Sequence, residues 1–239
     1  MAELHHLWTT LAASALLPLT LTLIAYQVGA WIAVRTHYHP LANPVLIAIV
    51  VLVIVLKMTG IDYKTYFAGA QLVHFLLGPA TVALAIPLYR AWDHIHGSAF
   101  AIAVAIVSGC LFAIVSTVGI AWAFGGSMGT LLSLAPKSAT TPISMGVSSM
   151  IGGNASLTAI FAILTGILGA VFAAWILDAV RVKDVRARGL AVGLVAHGIG
   201  TAHKLQVNEL TGAFAGLAMG LNGLATAILV PLLVHWLGH

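Results

Sequence analysis

Charge is missing from long runs of this chain: Thr36 to Leu56, Thr65 to Tyr89, His94 to Pro136 and Ser138 to Leu177 contain no Asp, Glu, Lys or Arg. Apolar runs of this length point to lipid as the solvent, because a membrane helix needs about 20 predominantly apolar residues. Within hydrocarbon, only a helix or a closed barrel satisfies every peptide group. Over the 239 residues, 61% are hydrophobic and 7% charged, whereas a water-soluble domain is roughly one-quarter charged. The expected fold class is all-α, a polytopic integral membrane helix bundle of about 6–8 transmembrane segments. A single domain over residues 1–239 is expected.

The net charge of +4 comes from scattered loop residues. No basic run is interleaved with aromatics, so a nucleic-acid footprint is absent. The single cysteine, Cys110, lies in an apolar run and has no second cysteine for a disulfide or a thiolate metal site. No metal and no cofactor are expected. Residues Met1 to His6 include Glu3 and no Lys or Arg, and the apolar run beyond outlasts a signal-peptide core, so a retained first helix is expected.

Apolar runs bounded by charges and turn formers predict helices at 10–34, 44–57, 63–77, 79–90, 98–124, 142–152, 156–178, 187–197 and 211–236. Three of these, 79–90, 142–152 and 187–197, are too short to cross a bilayer alone and adjoin Gly, Pro or small polar residues. Short, interrupted segments in corresponding places of two halves point to a transporter's binding site. A parallel of this kind is visible. Asn43-Pro44 opens one helix and Thr141-Pro142 another, each placing a capping side chain before a first-turn proline. A break follows each, at Gly78-Pro79-Ala80-Thr81 and at His197-Gly198-Ile199-Gly200-Thr201. Discontinuous helices in inverted repeats at 10–90 and 98–237 are therefore expected, the alternative being coincidence among abundant Gly, Pro and Thr. If 136–153 enters and leaves without crossing, Arg35, Arg90, Arg181, Lys183, Arg186 and Arg188 share one side, cytoplasmic by the positive-inside rule, with the N-terminus outside and Lys57 and Lys64 opposite.

Three constellations have the chemistry of a site. In Pro136-Lys137-Ser138-Ala139-Thr140-Thr141-Pro142, one cation and three hydroxyls stand at a helix start. Free amides and the positive end of the helix dipole there suit a small carboxylate. The plainer reading has Thr141 capping and Lys137 reaching to the interface. Around His197-Gly198-Ile199-Gly200-Thr201, two glycines interrupt an apolar helix, and exposed backbone there must face protein or water. An unperturbed imidazole titrates near neutrality, which makes His197 the candidate for a coupled proton, against simple helix packing; His203 and Lys204 are expected near headgroups. Around Gly78 and Thr81, two prolines predict a kinked helix with room for close approach. Glu209 precedes the series Gly212, Gly216, Gly220. The acid suits a helix N-terminus, with proton coupling the second reading. The glycines form a small-residue face within the subunit or between subunits of a homodimer. No zincin, nucleophile-elbow or phosphate-loop motif is present and no paired carboxylates occur, so the chain is not expected to be an enzyme.

Asn43-Pro-Val-Leu-Ile, Phe75 to Tyr89, Pro136 to Ile143, His197 to Ala202 and Gly212 to Met219 together resemble the LrgB/CidB family over nearly the whole chain. The resemblance implies a bacterial cytoplasmic (inner) membrane protein. Its members were named as antiholin-like or murein-hydrolase regulators, and a plastid member is a glycolate/glycerate translocator. Other bacterial members are associated with pyruvate. Export or exchange of such monocarboxylates is thus implied, as is the alternative of a holin/antiholin-like regulator of envelope integrity acting with a small LrgA/CidA-like membrane partner. The family's polar motif positions fall on Asn43, Thr81, Lys137, Ser138, Thr140, Thr141, His197, Thr201 and Glu209. Ala196 and Ala215 stand where serines are common in the family.

Overall fold

The computed structural model describes residues 16–76, 79, 82, 83 and 85–237. The described residues are helical or in turns, without strand. Four helices are long and apolar enough to cross a membrane, Leu16–Arg35, Ala99–Ala123, Ala155–Ala179 and Glu209–Trp236. The chain divides into two compact units, Met1–Ala85 and Ile86–His239.

The first unit contains α1 (Leu16–Arg35), a 3-10 turn (Pro40–Ala42), α2 (Pro44–Thr59), α3 (Tyr63–Gly69) and α4 (Gln71–Phe75). Asn43 Oδ1 accepts from Val45 N at 2.9 Å and Leu46 N at 3.3 Å, so the asparagine caps α2 directly ahead of its proline, as the sequence pattern required. Gly60, at φ 68°, ends α2 in the left-handed conformation that glycine adopts most readily. A Cβ on Gly29 would run into the carbonyl of Pro44, so the glycine is what lets α1 and the start of α2 touch. The hydroxyls of Thr22 and Tyr66 join α1 to α3 at 2.6 Å, and the Arg35 guanidinium lies 4.8 Å from the Trp31 ring centroid at the end of α1. The predicted run 63–77 is two short helices, α3 and α4.

The second unit follows with α5 (Ala85–Arg90), α6 (Trp92–His96), α7 (Ala99–Ala123), α8 (Met128–Leu134), α9 (Thr141–Met150), α10 (Ala155–Ala179), α11 (Val185–Val207) and α12 (Glu209–Leu237). Helix α8 falls between the predicted helices 98–124 and 142–152, where none was expected; Ser127 Oγ caps it, accepting from Thr130 N. With α9 it forms a hairpin between the two long helices α7 and α10. At 7 and 10 residues, its legs reach about 10 and 15 Å, short of a 30 Å hydrocarbon core. Hydroxyls bind the hairpin's base to α10: Asn154 N donates to Ser133 Oγ at 2.8 Å, and Thr158 Oγ1 lies 2.7 Å from Ser148 Oγ and 2.9 Å from Ser133 O.

Helix α11 is longer than the predicted 187–197 because the chain reverses inside it. His197 has φ 36° and ψ −126°, and a Cβ on Gly200 would meet the Cγ1 of Val192 at 2.6 Å, eight residues back. In a straight helix that separation is about 12 Å. Residues 185–196 and 198–207 are therefore two legs of a second hairpin. The expectation that His203 would reach headgroups fails for this reason: the returning leg leaves it 5% exposed. Asp184 caps the outgoing leg, and Arg186 holds the Asp184 carboxyl well below the usual carboxylate range.

Helices α7 and α12 run parallel and clasp both hairpins at two levels. Ile102 and Ile106 of α7 pack with Phe214 and Ala218 of α12 and Leu194 of the second hairpin. Cys110 and Ile114 pack with Val230 and with Ala135 and Val147 of the first. Contact between α11 and α12 is backbone-close, since a Cβ on Gly193 would overlap the Ala215 carbonyl and one on Gly189 the Thr211 carbonyl. Among the α12 glycines, Gly212 fits against Leu205 of the same chain, whereas Gly220 faces open space.

Gly193→Ala should destabilise the protein by about 1–3 kcal/mol, because the obstructing atoms are main chain and cannot rotate away. Gly119→Ala on α7, whose added carbon meets nothing within 4 Å, should be neutral or slightly stabilising. Thermal unfolding in detergent, followed by circular dichroism, checks the contrast.

Candidate functional site

The tip of the first hairpin, between α8 and α9, is non-helical chain whose carbonyls need donors. Ser144 Oγ lies 2.6 Å from Pro136 O and 3.1 Å from Ala139 O, and satisfies this turn from inside α9. The expected cap at Thr141 is displaced by one residue: Thr141 is already helical, Pro142 falls in the first turn, and Thr140 occupies the capping position without a side-chain cap hydrogen bond. Proline is tolerated there because first-turn amides have no intrahelical partner. The start of α9 thus keeps amides unsatisfied by its cap, beside Lys137 and Ser138.

At the second tip, the left-handed backbone of His197 is unusual for a residue with a Cβ. The ring fixes it. Nε2 lies 2.9 Å from the carbonyl of Ala162 on α10, and Gly166 one turn on leaves room, since a Cβ there would stand 2.5 Å from the imidazole Cε1. Thr201 Oγ1 donates to His197 O at 2.7 Å. Gly198, exposed, begins the returning leg.

The two tips are joined by a residue the sequence reading did not single out. Asn222 is fully buried near the middle of α12. Its Nδ2 donates to Ser138 O of the first tip at 2.8 Å and to Leu194 O of the second at 3.2 Å. A carboxamide within an otherwise apolar span was the available signal, since buried polar groups in lipid are expensive and usually functional.

Beside this junction lies a cavity of about 520 Å³ lined by α7, the outgoing leg of α11 and the first tip. Its walls are mostly Ala, Leu, Ile, Val and Phe; the polar groups among them are Ser116, Thr117, Lys137 and Ser138. Among the described residues, no carboxylate lies within ion-pair distance of Lys137, and all three ion pairs, Arg90–Glu209, Arg186–Asp184 and Arg188–Asp178, are elsewhere. A half-buried ammonium in an apolar cavity without a counter-ion favours an incoming anion. Ser116 and Thr117 were overlooked because hydroxyls on a long apolar helix commonly bond their own backbone.

The other predicted residues are placed as follows. Thr140 and Thr141 stand at the first tip outside the cavity lining. His197 and Thr201 are buried at the break, also outside the lining. Asn43 caps α2 in the first unit. Glu209 opens α12 at the surface, 2.9 Å from the Arg90 guanidinium. Gly78 and Thr81 lie outside the described residues.

The pattern that defines the LrgB-like family matches residues 22–236. The chain belongs to the LrgB-like family. Relatives extend over almost the same length: the "Uncharacterized protein YwbG" of Bacillus subtilis (strain 168) is 36% identical over 92% of this chain and 97% of its own. The "Holin-like protein CidB" of Staphylococcus epidermidis is 32% identical over 92% and 96%. The "Antiholin-like protein LrgB" of Bacillus mycoides is 31% identical over the same shares. No solved structure matches. In this LrgB-like chain, the first and second tips carry the motifs that made the family legible, Pro136 to Ile143 and His197 to Ala202.

If the His197 ring needs the space at Gly166, then Gly166→Ala destabilises the wild type but has little further effect in a His197→Ala background. A coupling of about 1 kcal/mol or more in a double-mutant cycle of thermal stabilities is expected.

Proposed function

We propose that this protein is a multi-pass carrier of small monocarboxylates in the bacterial inner membrane, and not an enzyme. The observation that carries the reading is the uncompensated ammonium of Lys137 at a hairpin tip, facing an apolar cavity with three hydroxyls. Lys137 neutralises the carboxylate, Ser116, Thr117 and Ser138 orient it, and the apolar wall accepts a short carbon chain. The cavity takes a solute of a few carbon atoms comfortably. Its single cation suits one negative charge better than two.

The architecture supports translocation. The first hairpin opens between the end of α7 and the start of α10; the second opens between the end of α10 and the start of α12. The two therefore enter from opposite ends of the unit and meet at Asn222. Arg90, Arg181, Lys183, Arg186 and Arg188 flank the end from which the second hairpin enters, while residues 124–127 and 151–154 at the other end carry no Lys or Arg. By the positive-inside rule the basic end is cytoplasmic. Proton coupling through His197 belongs to the same reading, with Glu209 the second candidate.

The relatives' names, holin-like and antiholin-like, favour a second reading; on it the protein would regulate the envelope, with a small membrane partner or as a homo-oligomer. The two part on size selectivity. The carrier admits small carboxylates and excludes larger dyes; a pore releases both.

Purified protein in proteoliposomes should take up labelled glycolate, glycerate or pyruvate saturably and without leakage of an enclosed dye. Lys137→Ala should raise the half-saturation concentration roughly tenfold to a hundredfold, the range of a lost charged hydrogen bond, and Lys137→Arg should retain more. Uptake indifferent to Lys137 sinks the site, and dye release favours the regulator. For the proton, uptake by wild type should respond to an imposed pH gradient, and the response should vanish in His197→Ala.

A further inference from the structure

We infer that Asn222 is a positioning residue that couples the two hairpin tips and thereby holds Lys137 at the cavity. The inference deepens the carrier reading and rests on it for its transport readout only. Asn222 stands 13 residues from the start of α12 at Glu209 and 15 from its end at Leu237, so it marks the middle of the longest helix. Both amide protons are committed to main-chain carbonyls of different hairpins, Ser138 O at 2.8 Å and Leu194 O at 3.2 Å. Neither choice is arbitrary. Ser138 follows Lys137 directly, and Leu194 would give its carbonyl to the amide of residue 198 if the helix continued through His197. The non-helical backbone of His197 interrupts that pattern, and Asn222 supplies a donor to the carbonyl.

Ser138 and Leu194 both line the cavity while Asn222 does not. The carboxamide therefore acts behind the wall, through the tips. Its Oδ1 is buried without a partner among the described residues. The carboxamide thus makes its hydrogen bonds through its two donors alone, both to main-chain carbonyls of the tips. With both protons shared between the tips, displacement of one hairpin weakens the bond that satisfies the other. The site therefore loosens as a unit.

Hydrogen exchange of the full-length protein in detergent tests the coupling without reference to any substrate. In Asn222→Leu, amides of residues 136–141 and 194–201 should exchange roughly tenfold faster, both segments together, while those of α12 at 214–218 and 226–230 keep wild-type rates. Asn222→Gln, which keeps both donors on a longer arm, should fall between the two, and it carries the test if the leucine variant does not fold. In proteoliposomes, the half-saturation concentration for the carboxylate should rise roughly tenfold with the maximal rate little changed, since the ammonium is misplaced and not removed. Faster exchange confined to α12, or to one hairpin alone, overturns the coupling. A wild type that takes up no carboxylate overturns the carrier reading and leaves the exchange result to decide the coupling by itself.

Discussion

Everything in the second unit depends on one constraint: a peptide group at membrane depth must find a hydrogen-bond partner, and a chain that reverses there gives up the partners a helix supplies. The structure contains two such reversals, at 135–140 and at His197. Each is repaired by a side chain inserted at one point. Ser144 bonds the first tip from the following helix, Thr201 bonds the carbonyl of His197, and Asn222 serves both. Without these three residues the carbonyls of Pro136, Ser138, Ala139, Leu194 and His197 would lose the side-chain donors that reach them.

Lipid gives no hydrophobic reward for bringing helices together, so their association relies on close van der Waals contact. The pair α11 and α12 shows how this is reached. Gly189 and Gly193 face carbonyls of Thr211 and Ala215, and Ala196, Ala215 and Ala218 are buried along the same contact. Large apolar side chains point outward instead, with Phe100, Trp122 and Phe124 among the most exposed. This distribution inverts that of a water-soluble protein and follows from the change of solvent. The glycine at 193 and the break at 197 also serve each other. A leg held backbone-close to α12 brings Leu194 O within reach of Asn222, which would be too short to bridge an ordinary helix separation.

Much of this was legible in the sequence. Charge-free length gave the long helices, and Asn43-Pro44 gave the start of α2. The motif His197-Gly198-Ile199-Gly200-Thr201 marked a break, and Lys137-Ser138 a polar tip. Other features were hidden for physical reasons. A break reads the same in sequence whether the chain bends or turns back, so the reversal at His197 became visible only through the contact of Gly200 with Val192. The cap at Thr141 was misplaced by one residue because proline fits either of the first helical positions. Asn222 escaped because its partners, 84 and 28 residues away, are main-chain carbonyls without any sequence signature.

Placing the cation on a tip, and not on the wall of a long helix, has a mechanical consequence. A lysine on α7 would hold an anion in a fixed frame, and release would depend on solvent reaching the site. Lys137 instead rides on a segment whose two legs are 7 and 10 residues long and whose turn is tied down by Ser144 and Asn222. On the proposed carrier reading, a bound anion would neutralise the charge that opposes burial of this segment, so the liganded tip would enter apolar surroundings that the bare ammonium resists. Binding and movement of the tip then draw on the same electrostatic free energy.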